Sequence, residues 1–114
     1  MQSSNHPAYL TIARIGGEPD QLLDSYLRST ETMDGVGRDH GLIVHAAAPT
    51  ESGLMILNLW PSRDGSEAAA RDQRRLDTIR QQALDPEQIR KEHHDVARLV
   101  LFGPQWPSAT AGRR

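Results

Sequence analysis

Apolar and β-branched residues at the start of the chain change their spacing from one segment to the next. Residues 8–15 are almost continuously apolar or β-branched and end at a glycine pair, which is typical of a β-strand. Pro19 then stands where the first position of a helix is expected, and apolar residues beyond it recur every three or four positions. The pattern predicts a first strand over 8–15 and an amphipathic helix from Pro19 to about Gly35 or Gly37.

Two strands are predicted in the middle of the chain. Residues 41–48 are apolar apart from His45, and residues 54–60 are apolar apart from Asn58. The segment between them contains proline, threonine, serine and glycine, and it is short enough to join antiparallel neighbours. We therefore expect these two strands to pair.

The last third of the chain predicts a helix, a short helical turn and a final strand. A charged helical segment that ends near residue 83 can be capped by Ser62 or Asp64. An aspartate followed by a proline predicts a second short helical piece over 85–88. The apolar stretch over 95–102 is interpreted as the last strand.

The order strand, helix, strand, strand, helix, strand is that of the ferredoxin-like α+β fold. It predicts a four-stranded antiparallel sheet with both helices on one face. We expect residues 8–102 to form a single domain, because 114 residues suffice for one two-layer core and leave little for another. Residues 1–7 are expected to be a flexible lead-in and residues 103–114 a mobile tail.

The predicted strands are apolar on both faces, although two helices can cover only one face of a sheet. Alternation within residues 54–60 separates a set that faces the helices from a purely apolar set that faces away. The first set is Leu54, Ile56, Asn58 and Trp60, and the second is Met55, Leu57 and Leu59. Two sheets packed face to face would bury the second set, so we expect a homodimer.

Composition narrows the classes of function. The chain has no cysteine, which excludes disulfides, thiolate metal sites and thiol nucleophiles. A net charge of −2 without a basic cluster argues against a nucleic-acid partner, and no segment is long and apolar enough to predict a membrane partner. We expect a cytoplasmic protein, and twelve arginines beside a single lysine indicate a GC-rich bacterial origin.

The arginines of the second predicted helix are interleaved with acidic residues. Such spacing predicts a solvated helix face rather than an anion site. The arginines are Arg63, Arg71, Arg74, Arg75 and Arg80.

Three stretches of sequence carry a family resemblance. The strand over 9–15, the Gly-Glu-Pro spacer after it, and above all Leu-Met-Ile-Leu-Asn-Leu-Trp-Pro-Ser over 54–62 resemble the antibiotic biosynthesis monooxygenases, a family of dimeric α/β barrels. The resemblance covers roughly residues 8–102. It implies a homodimer with one small-molecule cavity per subunit, between the sheet and its helices. Some members are cofactor-free oxygenases of polyketide-derived aromatics, and others degrade haem.

The chain departs from both kinds of family member. Haem-degrading members hold iron with a histidine on the second helix, whereas residues 62–83 contain none, and Thr11 stands where those enzymes carry an asparagine. These differences disfavour haem breakdown. The cofactor-free oxygenases have an asparagine in the third strand, but Asn58 lies closer to Trp60 than in those enzymes, and alanines replace an aromatic residue early in the second helix.

The two middle strands supply the candidate catalytic residues and one substrate-binding residue. His45 is the only ionisable side chain in its strand, and an imidazole is a natural general base at neutral pH. A buried Asn58 needs a hydrogen-bond partner, which is either the surrounding protein or a ligand. Trp60 offers a flat surface with one N–H donor to a planar ligand, and it is also a suitable core residue.

Tyr26, Thr11 and His94 complete the predicted substrate site. Tyr26 lies on the inner stripe of the first helix. The segment 92–95, Glu-His-His-Asp, is the densest group of potential metal ligands, but neighbouring residues of a strand point to opposite faces, so we expect no metal site. One of the two histidines is expected to face the cavity mouth or the dimer partner, with His94 as the candidate.

These residues predict a homodimer that binds a small, fairly apolar, aromatic or polyketide-like molecule and acts on it as a monooxygenase without a cofactor. His45 would take a proton, Asn58 would hold an oxyanion or an oxygen-derived intermediate, and Trp60 would stack on the substrate. Two alternatives stay open. One is a non-catalytic metabolite-binding or stress-related dimer, and the other is an isomerase or cyclase that uses the same pocket.

Overall fold

A four-stranded antiparallel sheet is the framework of the protein in a computed structural model that describes residues 6–103. The strands are β1 (Ala8–Gly16), β2 (Val44–Thr50), β3 (Gly53–Trp60) and β4 (Ile89–Val96). They lie in the order β2-β3-β1-β4, so β3 and β1 are central. With the helices described next, this arrangement confirms the predicted ferredoxin-like α+β fold.

Each of the two predicted helices is a pair of shorter helices. The pairs are α1 (Pro19–Arg28) with α2 (Thr30–Asp39), and α3 (Arg63–Ala70) with α4 (Gln73–Gln82). Within residues 6–103, no helix combines the length and the apolarity needed to cross a bilayer.

Polar side chains cause both helix breaks. The Ser29 hydroxyl and its backbone N–H donate to the carbonyl of Tyr26, which ends α1. The Asp72 carboxylate accepts from the backbone N–H of Arg74 and caps the start of α4. Serine and aspartate side chains form local hydrogen bonds with the backbone that compete with the hydrogen bonds of the helix. The spacing of apolar residues gives no sign of these local bonds, so it predicted unbroken helices.

The last strand lies earlier in the chain than the sequence predicted. A 3-10 turn, Pro86–Gln88, is capped by the Asp85 carboxylate, and β4 begins directly after it. The predicted strand over 95–102 is therefore wrong, because only its first two residues belong to β4. Charged residues are tolerated in β4 because it is an outer strand, whereas the apolar side chains beyond it are exposed. These are Val100, Leu101 and Phe102.

The remaining expectations about the ends of the chain lie largely outside the described residues. This applies to the lead-in, apart from residues 6 and 7, and to the tail beyond residue 103.

The strand pleat divides the sheet residues into two faces. Trp60 of β3 lies opposite Tyr9 of β1, and both pack in the core with Val36 of α2 and Ala69 of α3. Leu54 has the same parity as Trp60 and is 2% exposed. The face away from the helices is mostly apolar in the central strands, where it carries Leu10, Ile12, Met55, Leu57 and Leu59.

A cluster of charges joins the end of α2 to the start of α4. The Asp72 carboxylate accepts from Arg74 at 2.7 and 3.0 Å and lies 3.0 Å from Nε2 of His40, the residue that caps α2. The Arg74 guanidinium also pairs with Asp39 at 3.0 Å. The hydrogen bonds from Arg74, and then that from His40, hold the pKa of Asp72 well below its ordinary value. The ionised carboxylate therefore stabilises the folded state.

Replacing Asp72 with asparagine tests this contribution, because asparagine still caps a helix but carries no charge. We expect Asp72→Asn to lower the Tm at pH 7 by a few degrees. The pKa is depressed in the folded state, so the stabilisation is complete above the unfolded pKa of about 4 and fades as the pH falls toward the folded value. Thermal unfolding between pH 2 and 7 should show the Tm difference shrinking in acid, and a difference independent of pH would contradict this account.

Candidate functional site

A cavity of about 140 Å³ lies between the sheet and the helices α2, α3 and α4. Polar and charged side chains from all four strands reach it. Its apolar wall is made by Met33, Val36, Leu42, Ile56, Ala69 and Ala70. This location, between the sheet and its helices, is the one that the family resemblance implied for a small-molecule cavity.

Four polar side chains form one row across the sheet. His45 of β2 lies opposite Asn58 of β3, and Asn58 lies opposite Thr11 of β1. Thr11 in turn lies opposite His93 of β4. Directly opposed residues of antiparallel strands point to the same face, and all four side chains line the cavity. The row gives the cavity a polar floor that spans the width of the sheet.

Tyr26, His45 and Asn58 form a hydrogen-bonded chain. The His45 Nδ1–H donates to Oδ1 of Asn58 at 2.5 Å, and the Tyr26 hydroxyl donates to Nε2 of His45 at 2.5 Å. Because Oδ1 has no proton to give, the proton between the two residues belongs to Nδ1, and the lone pair of the ring is on Nε2. The rings of Tyr26 and His45 also stack, with centroids 5.8 Å apart. The chain thus fixes the tautomer of the imidazole and directs its basic nitrogen at a phenol.

Tyr26 keeps its proton into the alkaline range. Partial burial raises the pKa of Tyr26 above its ordinary value of 10.0, and the negative charge of Asp34 raises this pKa further. Both effects penalise the phenolate. Asp34 itself lines the cavity from α2. At neutral pH Tyr26 is therefore a hydrogen-bond donor.

Trp60 is at once a core residue and a wall of the cavity. Its side chain belongs to the buried core and also lines the cavity. Its Nε1–H donates to the hydroxyl of Thr11 at 3.4 Å. The bond satisfies the only polar atom of the indole and orients Thr11 within the row. The two interpretations of Trp60 that the sequence offered are thus compatible.

The structure brings most of the predicted site residues together. His45, Asn58, Trp60 and Thr11 line the cavity, and Tyr26 joins them through its bond to His45. Their roles in binding and catalysis stay predictions.

His94 does not lie at the cavity. It shares a face of β4 with Glu92, whose carboxylate is 3.3 Å from its Nε2. His93 lines the cavity instead, because neighbouring residues of a strand point to opposite faces. The choice between the two histidines follows from the register of β4 against β1.

Arg75 and Lys91 also line the cavity, although neither was predicted as a site residue. The prediction of a solvated face is wrong for Arg75, whose side chain turns inward from α4 and is half-buried. Lys91 is the only lysine of the chain and lies two residues before His93, on the same face of β4. This two-residue spacing would have identified Lys91 if the last strand had been placed correctly.

Proteins of known structure share this fold at low sequence identity. A protein from Caulobacter crescentus, described as of the antibiotic biosynthesis monooxygenase type, is 12% identical and has a TM-score of 0.67, covering 82% of this chain and 92% of that chain. A monooxygenase from Streptomyces coelicolor, in complex with nanaomycin D, is 10% identical and has a TM-score of 0.64, covering 85% of this chain and 93% of that chain. The chain has the fold of the antibiotic biosynthesis monooxygenases.

The likeness to antibiotic biosynthesis monooxygenases confirms the resemblance in fold that the sequence indicated. A dimeric ferredoxin-like protein from Jannaschia sp. has the same fold, with 12% identity and a TM-score of 0.65 over 78% of this chain and 99% of that chain. No protein-family model and no curated protein sequence matches the chain. The assignment of the fold therefore depends on the backbone.

The charge of Asp34 provides a test of the site electrostatics. Asp34→Asn should lower the pKa of Tyr26 but leave it above 10.0, because burial is the larger of the two causes. Carbon NMR of protein labelled at tyrosine Cζ measures this titration, and Tyr26→Phe assigns the resonance. A Tyr26 pKa that does not move in Asp34→Asn would show that the carboxylate does not act on the phenol.

Proposed function

We propose that this protein is a homodimer that binds a small aromatic molecule in the cavity and acts on it as a cofactor-free monooxygenase. The observation that carries the proposal is the hydrogen-bonded chain from Tyr26 through His45 to Asn58. It supplies a base of fixed tautomer at the edge of a largely apolar cavity. The fold shared with monooxygenases supports the same class of reaction.

Proton removal by His45 begins the reaction. A phenolic hydroxyl of the substrate takes the place of the Tyr26 hydroxyl at Nε2 and gives up its proton there. The imidazolium is stabilised by Asn58, whose Oδ1 accepts from Nδ1–H. The amide NH₂ of Asn58 can donate to negative charge on the substrate, since Oδ1 alone is used by His45. Trp60 supplies a flat wall against the aromatic ring.

The deprotonated substrate then reduces dioxygen. A ring carbon that carries a hydrogen and is conjugated with the oxyanion forms a bond to O₂, and the resulting peroxide takes back a proton from the His45 imidazolium. The O–O bond breaks as water leaves with the hydrogen still attached to that carbon, and a carbonyl group forms. One atom of O₂ enters the product and the other enters water, so dioxygen is the only oxidant and no external reductant is consumed.

The size of the cavity limits the substrate. An apolar cavity of about 150 Å³ accommodates one benzene ring, and the volume here is about 140 Å³. We therefore favour phenols and hydroquinones of one ring over tricyclic polyketides.

Oxygen consumption with hydroquinones and anthrone tests the proposed reaction. We expect one-ring substrates to react fastest and ¹⁸O₂ to deliver one labelled atom to the product and one to water. His45→Ala should lower kcat at least about a hundredfold, the usual range for a lost acid–base group. Asn58→Ala should lower kcat at least about tenfold, because it removes the hydrogen bonds to the imidazolium and to negative charge on the substrate. His6→Ala is the matched control, because His6 is exposed and outside the cavity lining.

Two outcomes would contradict an oxygenase. These are absence of turnover with every substrate, or unchanged turnover in both His45→Ala and Asn58→Ala. Turnover without oxygen would instead identify an isomerase or cyclase. A rise in Tm with ligand but without product would identify a protein that only binds the molecule.

The apolar face of the sheet supports the homodimer. Leu57 lies at the centre of this face, between Ile12 of β1 and Ala46 of β2. Contiguous apolar surfaces of this kind on a single chain mark interaction sites. The Jannaschia protein of the same fold is described as dimeric. A second copy of the chain offers an identical apolar face, so two sheets can bury each other.

Light scattering coupled to size-exclusion chromatography tests the dimer. At micromolar concentration we expect twice the chain mass of 12.7 kDa. Leu57→Arg should give a monomer, because it places a charge in the buried face. Leu27→Arg is the control, since Leu27 is already 47% exposed on α1. A monomeric wild type would contradict the proposed interface.

A further inference from the structure

Two cations lie at one end of the cavity. Lys91 of β4 and Arg75 of α4 both line it, whereas His45 lines it from β2. β2 and β4 are the outer strands of the sheet, so their backbones are three strand spacings, or about 14 Å, apart. The basic nitrogen of His45 and the two cations therefore approach the cavity from opposite sides.

Neither cation has an acidic partner among residues 6–103. Arg75 donates one hydrogen bond, from Nη1 to the carbonyl of Ala70 at 3.1 Å. No carboxylate within the described part of the chain lies within 4.0 Å of Arg75 or Lys91. In contrast, Arg74 and Arg80 on the same helix α4 each pair with an aspartate.

The surroundings of these cations are unfavourable for positive charge. Burial lowers the pKa of Lys91, and the nearby charge of Arg75 lowers it further. Burial alone lowers the pKa of Arg75. Arg75 is half-buried and Lys91 is more exposed. Two neighbouring like charges without a counter-ion among residues 6–103 cost folding free energy, which an anion in the cavity would offset.

The other titratable groups of the cavity do not act as counter-ions to Arg75 and Lys91. Among residues 6–103, Asp34 is the only carboxylate in its lining, and its charge acts on Tyr26 at the end where His45 lies. His93 stands beside Lys91 on β4 and is not an anion. The cavity thus has an end with a base and a carboxylate and an end with two cations that pair with no acidic residue in the described part of the chain.

We propose that Arg75 and Lys91 bind a carboxylate of the substrate, so that the cavity takes a one-ring hydroxylated aromatic acid whose reactive hydroxyl lies toward His45. A carboxylate is flat and matches the two parallel donors of a guanidinium, and an ammonium adds a second charge. It also adds little volume to a single ring, which the size of the cavity requires. The proposal rests on the proposed function only for the orientation of the hydroxyl.

Binding of 2,5-dihydroxybenzoate and of its uncharged amide, measured by calorimetry at low salt, tests the subsite. The wild type should bind the acid at least about tenfold more tightly than the amide, the range expected for charge-assisted hydrogen bonds. Arg75→Gln and Lys91→Gln should each lower the affinity for the acid by about tenfold and leave that for the amide unchanged. Lys91→Arg should retain the preference.

Controls separate this proposal from the proposed reaction. Arg80→Gln removes an exposed arginine of the same helix and should leave both affinities unchanged. His45→Ala should keep the preference for the acid even though turnover is lost. Without ligand, Lys91→Met should unfold at the same or a higher temperature than the wild type, because it removes one of two neighbouring like charges that have no acidic partner in the described part of the chain.

Three results would overturn the subsite. They are equal affinity of the wild type for acid and amide, binding of neither compound, or a preference for the acid that survives Arg75→Gln combined with Lys91→Gln. If the acid binds through these cations but consumes no oxygen, the oxygenase proposal fails while the subsite stands. If only uncharged hydroquinones react, the subsite fails while the oxygenase proposal stands.

Discussion

The hydrogen-bonded register of the four strands is the constraint on which the rest of the structure depends. Side chains alternate along each strand, so one register decides which residues enter the core and which enter the cavity. Trp60 lies opposite Tyr9, and two residues earlier Asn58 lies opposite Thr11. A slip of one residue in β3 would turn Asn58 away from His45 and expose the buried tryptophan. The burial of Trp60 therefore also holds the polar row in place.

The cavity combines two kinds of chemistry because its floor crosses the whole sheet. The strand β2 brings His45 to one side, where Tyr26 and Asn58 satisfy both ring nitrogens. The strand β4 brings Lys91 to the other side, where no carboxylate of the described residues pairs with it. Every one of these side chains is carried by a strand or a helix rather than by a loop, so their spacing is held by the backbone ladder and by helix packing.

Sequence patterns were most informative for the central strands and least informative at edges and breaks. β3 was predicted within one residue, since its apolar run contains a single polar residue, Asn58. The last strand was predicted too late in the chain because β4, as an outer strand, contains many charged residues. The apolar residues on which the prediction was based lie beyond β4 and are exposed. The breaks at Ser29 and Asp72 depend on individual hydrogen bonds from side chains to the backbone, which have no periodic signal.

By itself the sequence determined the order of strands and helices, the two faces of β3, and the candidates His45, Asn58, Trp60, Tyr26 and Thr11. The order, the faces and most of these candidates follow from local periodicity and from the rarity of polar residues in apolar strands, whereas Thr11 follows from the family resemblance. Only the tertiary structure decided that His93 rather than His94 reaches the cavity, and that Arg75 turns inward to meet Lys91. Both outcomes depend on how distant segments pair and pack. Spacing along one segment contains no information about the neighbour that a side chain will meet.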